Sequence, residues 1–213
     1  MSSLDQFGDK IQRELSHRKQ ELSRLRVQII DAPENAPGLG WMTRSAIVFA
    51  YAHWEGFVKQ SSRAYVRVIN STNTRTSQLK SPLQAAMLVS HFRRGGESKK
   101  ISFLGDLITE IDETRSTQFA VPPHKVIDTE SNLSSVVFRE NLARLALPEL
   151  EFYATRSAFI DEKLVEGRNQ VAHGELSQFK VEEVTERIDG VLRLLDTFAD
   201  QLLDAVRDQS YRL

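Results

Sequence analysis

The 213-residue chain predicts an all-α protein, and three observations carry that prediction. Apolar residues recur at steps of three, four or seven over long stretches, the spacing that gathers them on one face of a helix. Convincing strand signals are absent. Prolines fall in the breaks between the periodic stretches, where helices have to stop.

The first stretch runs from Leu4 to Ile30, with Leu4, Phe7, Ile11, Leu15, Leu22, Leu25 and Ile29 on one face and charges between them. It predicts a long amphipathic helix. Asp31 to Gly40 holds two prolines and two glycines and ends it. A second long helix is expected from about Trp41 to Ile69, burying Ile47, Val48, Tyr51, Trp54, Phe57, Val58, Tyr65 and Val68 or Ile69. Ser81-Pro82 is a cap followed by proline at the first helical position, so a short helix to His91 follows, broken at Arg93-Arg94-Gly95-Gly96. Ser98 is the expected cap of another short helix through Ile111. Thr114 to Glu130, with Pro122-Pro123 inside it, reads as an irregular connection. Asn132 or Ser131 then caps a helix through Leu145, Leu147-Pro148 breaks it, and a helix from about Glu149 or Ser157 runs on to His173. The last helix carries Val181, Val184, Ile188, Val191, Leu195, Phe198 and Leu202, a heptad seam with Glu182 and Glu183 in its first turn. Such a seam serves a core or a dimer.

With 40% hydrophobic residues the chain can bury one substantial core, so the expected organisation is a single domain over 1–213 with an irregular insertion around 71–130. There is no cysteine, which excludes disulfides, cysteine-based zinc sites and a cysteine nucleophile, and fits a reducing cytoplasm. No run approaches the roughly 20 apolar residues of a membrane span, and the start has no basic leader before an apolar run. The chain reads as soluble and cytoplasmic, with no membrane partner. The net charge of −1 hides an asymmetry: residues 1–100 carry 16 Lys+Arg against 8 Asp+Glu, and residues 101–213 carry 12 against 21. Either the two halves dock on each other, or a basic N-terminal surface with Arg13, Arg18, Lys19, Arg24 and Arg26 is left to follow a phosphodiester backbone.

One stretch carries chemistry-bearing residues: Arg168-Asn169-Gln170-Val171-Ala172-His173, with Gly174 after it. An imidazole moves protons near neutral pH, a guanidinium grips phosphate bidentately, and Asn169 stands one helical turn before His173. By spacing alone the hexad is weak, since an arginine at one of three tolerated spacings from a histidine arises about once by chance in a chain of this composition. The same residues also make a good helix C-terminus. Arg168 lies about 140° from His173 on an ideal helix, so the two are expected to face each other only if the helix ends or tightens between them.

Placed between two helices near the C-terminal end of an all-helical chain, the hexad resembles the motif of the HEPN superfamily (higher eukaryotes and prokaryotes nucleotide-binding domains). Two further segments share the resemblance. Tyr51 to Lys59 is similar to the tryptophan-glutamate signature, here Trp54-Glu55, on the second helix of a bacterial toxin- and defence-associated branch. Asn132 to Leu142 is similar to that branch's helix ahead of the motif. The resemblance implies a four- or five-helix up-and-down bundle with short inserted helices, which homodimerises so that two motifs meet. It implies a metal-independent endoribonuclease, a toxin or phage-defence effector, with Arg168 and His173 catalytic, Asn169 supporting, RNA as substrate, and a cognate antitoxin or defence-system protein as a further partner. RNA carries its own nucleophile in the 2′-hydroxyl, so a base, an acid and a cation suffice and no metal or cofactor is expected. One histidine cannot be base and acid at once, and a symmetric dimer supplies the second.

Glu55 reads as a partner of Arg168 or His173 or as a substrate contact, or else as an interhelical polar contact. Arg93, Arg94, Lys99 and Lys100 form a basic loop that could meet substrate. His53 reads as a packing histidine. The alternative to the enzyme is a non-catalytic helical interaction module, or a nucleotide- or RNA-binding one.

Overall fold

The computed structural model describes residues 3–95, 100–127, 132–175 and 178–213, leaving out the side chains of Ser3, Arg94 and Gly95. Ser98, Ser131 and Lys99 therefore lie outside the described residues. Three long helices make the frame: α1 (Ser3–Asp31), α2 (Leu39–Ser71) and, in order after the shorter ones, α9 (Val181–Arg207). Between them come α3 (Ser81–Gly95), α4 (Ile101–Ser116), α5 (Pro123–Val126), α6 (Ser135–Arg144), α7 (Glu151–Ala154), a π-helical segment (Phe159–Glu166) and α8 (Gly167–Ala172). Among the described residues the only β-type pairings are two isolated bridges, Arg75 to Gln118 and Leu79 to Arg212. The all-α reading holds; the first two helices are one or two residues longer at each end than expected, α3 and α4 run four and five residues past His91 and Ile111, and α6 is shorter at both ends.

The long helices pack because each turns one apolar stripe inward, where burial removes roughly 25 cal/mol per Å² of apolar surface from water. Phe7, Ile11, Leu15, Leu22 and Ile29 of α1 are buried, whereas Leu4, at the frayed start, is exposed. The heptad residues of α9 from Val184 to Leu202 are buried against α1 and α2 of the same chain, so the seam is an intramolecular core. At its centre sits Trp54 of α2, with Phe138 of α6 at 4.9 Å and Phe198 of α9 at 6.4 Å, all edge to face. Phe138 also meets Tyr153 of α7 at 5.0 Å. Aromatic rings favour these T-shaped contacts because the positive edge of one meets the negative face of another.

The charge asymmetry resolves largely into docking. Lys19 of α1 pairs with Asp196 of α9 at 2.7 Å, and Arg26 with Asp189 at 2.8 Å. Both pairs are partly exposed, where such bridges contribute about 1 kcal/mol or less, so they set the register of α1 on α9 more than its stability. Arg18 is buried: it donates to the His53 carbonyl at 3.3 Å and to Glu14 at 3.4 Å. Three of the five cations proposed for a nucleic-acid face of α1 are thereby engaged within the chain.

Residues 72–127 are more regular than an irregular insertion. A 3₁₀ turn at Thr76–Gln78 is tied to the chain ahead of α5 by Thr76 N–H to Thr117 O (2.9 Å) and Phe119 N–H to Thr74 O (2.9 Å). The C-terminal tail closes the same region through Lys80 N–H to Tyr211 O and Leu213 N–H to Gln78 O. α3 and α4 pack on each other, with the His91 Nδ1 3.2 Å from Glu110 and its Nε2 3.2 Å from Thr114. α6 is capped by Ser134, whose hydroxyl accepts from Val137 N–H at 3.3 Å, and not by Asn132, two residues earlier. The cap falls to the residue whose extended backbone leads directly into the helix.

His53 is buried between α1 and α2, against the Phe49 ring at 4.3 Å and with Nε2 3.4 Å from Glu21. Burial, and then the nearby Arg18 charge, pull its pKa from 6.5 down to about 4, with Glu21 pulling the other way. Between about pH 6.5 and pH 4 the unfolded chain therefore holds more protons at this position than the folded one, and stability falls as the pH drops through that window. His53→Gln should remove this component: urea unfolding at pH 7 and pH 4.5 should lose about 2 kcal/mol more in the wild type than in the variant. Equal losses in the two proteins would contradict it.

Candidate functional site

After α7 the chain turns at Thr155-Arg156 and restarts as a helix at Ser157 that winds first as a π-helix and then as α8. The i→i+5 winding spends more residues per turn, so everything after it is displaced round the axis relative to a continuous α-helix; such segments recur at functional sites. Asp161, inside the π-helix, reaches back to the start of α6, accepting from Ser135 N–H at 2.7 Å and from its hydroxyl at 2.5 Å. One carboxylate thus binds orphan donors of the first turn of α6 and fastens that helix to the segment that carries the hexad.

The hexad fills α8 and its end. Gly167 is buried at the crossing with α2: a Cβ there would stand 3.3 Å from Ile47 and 3.7 Å from the Arg187 guanidinium of α9. With Gly167 facing inward, the 100° step of an α-helix puts Arg168, Ala172, Asn169 and His173 in that angular order across the outward arc. Exposure follows: Gly167 is buried, Arg168 and Asn169 half-buried, Ala172 and His173 exposed. The helix ends at His173 itself. Gly174 takes φ +77°, its N–H donates to Val171 O at 3.1 Å and the Glu175 N–H donates to Gln170 O at 3.0 Å, the paired bonds of a Schellman cap. Because this cap comes after the hexad and not within it, Arg168 and His173 of one chain flank the outward face without meeting.

Arg168 is held on one side only. Its Nη1 donates to Asn132 Oδ1 at 3.1 Å and to Asn169 Oδ1 at 2.8 Å, and the guanidinium lies 5.5 Å from the centre of the Tyr51 ring. Tyr51 accepts the Leu133 N–H at 2.7 Å. Burial pushes the Tyr51 hydroxyl pKa up, opposed by the Leu133 bond and by Arg168 and reinforced by Glu55. Asn169 therefore bonds Arg168, and no hydrogen bond from it to the His173 ring is present. Glu55 stands one helical turn after Tyr51 on α2 and acts on Tyr51, with no ion pair to Arg168 or His173 among the described residues.

Of the basic loop residues, Arg93 and Lys100 are exposed at the adjoining ends of α3 and α4. These helices pack on each other, on α6 and on the 3₁₀ turn, whereas α8 packs on α2 and the π-helix. The side chain of Arg94 and all of Lys99 lie outside the described residues. Asn132 was expected as a helix cap and Tyr51 as core; each begins a segment that shares the family resemblance, but nothing in the sequence said that the two meet at Arg168. Arg187 left none. It is buried behind Gly167 with its guanidinium 4.7 Å from the centre of the Phe179 ring, and burial lowers its pKa.

Hexad residues line neither of two surface grooves among the described residues. One, of about 350 Å³, lies between Pro148 and the acidic end of α9 at Asp200, Asp204 and Asp208. The other, of about 430 Å³, lies between α1 and α2 against Glu21, Trp41 and Phe49.

A family model described as RiboL-PSP-HEPN matches residues 13–204. No curated protein and no solved structure matches the chain.

Gly174 is required for its backbone conformation, since a side chain at φ +77° is strained in any surroundings. Gly174→Ala should cost about 1 kcal/mol, which in a chain of this size lowers the melting temperature by roughly 2–4 °C. Thermal unfolding followed by circular dichroism measures it, and an unchanged midpoint would show that the cap does not hold the end of α8.

Proposed function

Since the chain belongs to the RiboL-PSP-HEPN family, a HEPN-superfamily domain with a nuclease or RNA-binding role, we propose that it is a metal-independent endoribonuclease that acts as a homodimer, a toxin or phage-defence effector whose activity a cognate antitoxin or defence-system protein would restrain. The observation that carries this reading is the placement of the hexad. Arg168 and His173 look outward from α8, half-buried and exposed respectively, and neither the groove beside Pro148 nor the one between α1 and α2 is lined by them. A reaction that needs base, acid and phosphate-binding cation together requires a second wall, and a second copy of α8 supplies a second His173 and a second Arg168.

In that arrangement the 2′-hydroxyl of RNA attacks its neighbouring phosphorus. One His173 takes the 2′ proton as the new P–O bond forms. The His173 of the partner subunit gives a proton to the 5′ oxygen as the P–O5′ bond breaks. The guanidinium of Arg168 compensates the charge that builds on the non-bridging oxygens. The products carry a 2′,3′-cyclic phosphate and a 5′-hydroxyl.

One feature favours a second reading, RNA binding without cleavage. Among the described residues the His173 ring has no hydrogen-bond partner to orient it. Incubating purified protein with single-stranded RNA in excess EDTA separates the two. Cleavage should persist in the chelator, and His173→Ala or Arg168→Ala should slow it by about 10²–10⁴-fold. Abolition by EDTA, or full activity in His173→Ala, would refute the enzyme; binding without products would support the second reading.

A further inference from the structure

The direction of Arg168 is set by side chains from several elements while most of its donors stay unused. Its Nη1 is shared between Asn132, from the segment ahead of α6, and the adjacent Asn169. Among the described residues its Nε and Nη2 groups have no protein acceptor. Neutral amide oxygens hold the guanidinium without neutralising it, so its full charge remains available to an anion, and the free Nε–Nη2 edge has the planar geometry that binds phosphate bidentately. A carboxylate in the place of Asn132 would have cancelled that charge.

Asn132 is itself held. The next residue, Leu133, donates its N–H to Tyr51 Oη at 2.7 Å, and three residues on Ser135 is bonded twice by Asp161. The Tyr51 ring lies under the guanidinium, and Glu55 acts on the Tyr51 hydroxyl from one turn further along α2. A chain of contacts thus runs from Tyr51 to the Asn132-Leu133 segment and to Arg168.

We propose that Asn132 is a positioning residue which, backed by Tyr51, aims the free edge of Arg168 at a phosphate of the substrate. This rests on the proposed reading only in taking an RNA phosphate as the anion.

The test is the binding of a single-stranded oligonucleotide with 2′-deoxyribose throughout, which carries the phosphates but lacks the nucleophile, over a range of salt concentrations. For a single strand, removing one cation from the set that neutralises phosphates reduces the slope of log K against log salt by about 0.7. Arg168→Ala should show this reduction, and Asn132→Ala should approach it while weakening binding about three- to ten-fold at low salt, the worth of one hydrogen bond. In the Arg168→Ala background, Asn132→Ala should change nothing further. Tyr51→Phe, which keeps the ring and removes the hydroxyl, should act in the same direction by a smaller factor and serves where Asn132→Ala fails to fold. If Asn132→Ala weakens binding equally with and without Arg168 and leaves the salt slope unchanged, Asn132 is merely structural and the proposal is overturned; failure of the wild type to bind the oligonucleotide overturns it too. Coupled binding without cleavage of RNA would uphold the positioning role while the endoribonuclease reading fell. Cleavage of RNA with uncoupled variants would do the reverse.

Discussion

The aromatic layer around Trp54 is the contact on which the rest of the molecule depends. Trp54 and Phe57 come from α2, Phe138 from α6, Tyr153 from α7 and Phe198 from α9, and their edge-to-face contacts bring together elements far apart in the chain. Two of the elements that reach the candidate site, α2 and α6, are seated by this layer. α6 is seated by Phe138, which fixes where its N-terminal segment can lie, and that segment delivers Asn132 to Arg168. α2 is seated by Trp54, three residues beyond the Tyr51 on which Arg168 rests. Large rings suit this task because they bury much area at little cost in side-chain freedom.

Electrostatics in this fold works mainly inside the chain. The excess of positive charge in the first hundred residues meets the acidic face of α9 through Lys19 and Arg26, and Arg18 is drawn into the α1–α2 contact beside a neutral His53. Salt bridges of this exposure add little to stability, but a long smooth helix can slide along its neighbour, and paired charges at defined positions oppose that. The consequence for function is that Arg168 is distinguished from the general positive charge of the chain by its company. It is held by amides and an aromatic face, a setting that keeps a cation oriented and unneutralised.

The hexad gains its geometry from what surrounds it. A six-residue helix cannot stand alone in water, since nucleation costs more than so few hydrogen bonds return. α8 exists because the π-helix feeds it, because Gly167 lets it lie close on Ile47, and because Gly174 closes its end. Those three features turn Gly167 and Val171 inward, and this leaves Arg168, Asn169 and His173 facing out. The condition under which Arg168 and His173 would converge within one chain, a helix that ends or tightens between them, is not met: the helix runs unbroken from one to the other.

Periodicity alone determined the all-α class, the extents of the three long helices and most of their buried faces, because an amphipathic stripe is a local property that any core must satisfy. The motif residues were legible for a similar reason, as unusual chemistry at a set spacing, and the terminal Gly174 announced where their helix stops. The tertiary structure alone decided the rest. It chose an intramolecular use for the α9 seam and the α1 cations, since either could equally have met a partner. It placed the helix cap at Ser134 and released Asn132 to Arg168. It converted Tyr51 from a core residue into a support, and it placed a π-helix where the sequence shows only another helical stretch. Each of these depends on which surfaces face each other, and the pairing of surfaces is a property of the packed whole that no window of sequence contains.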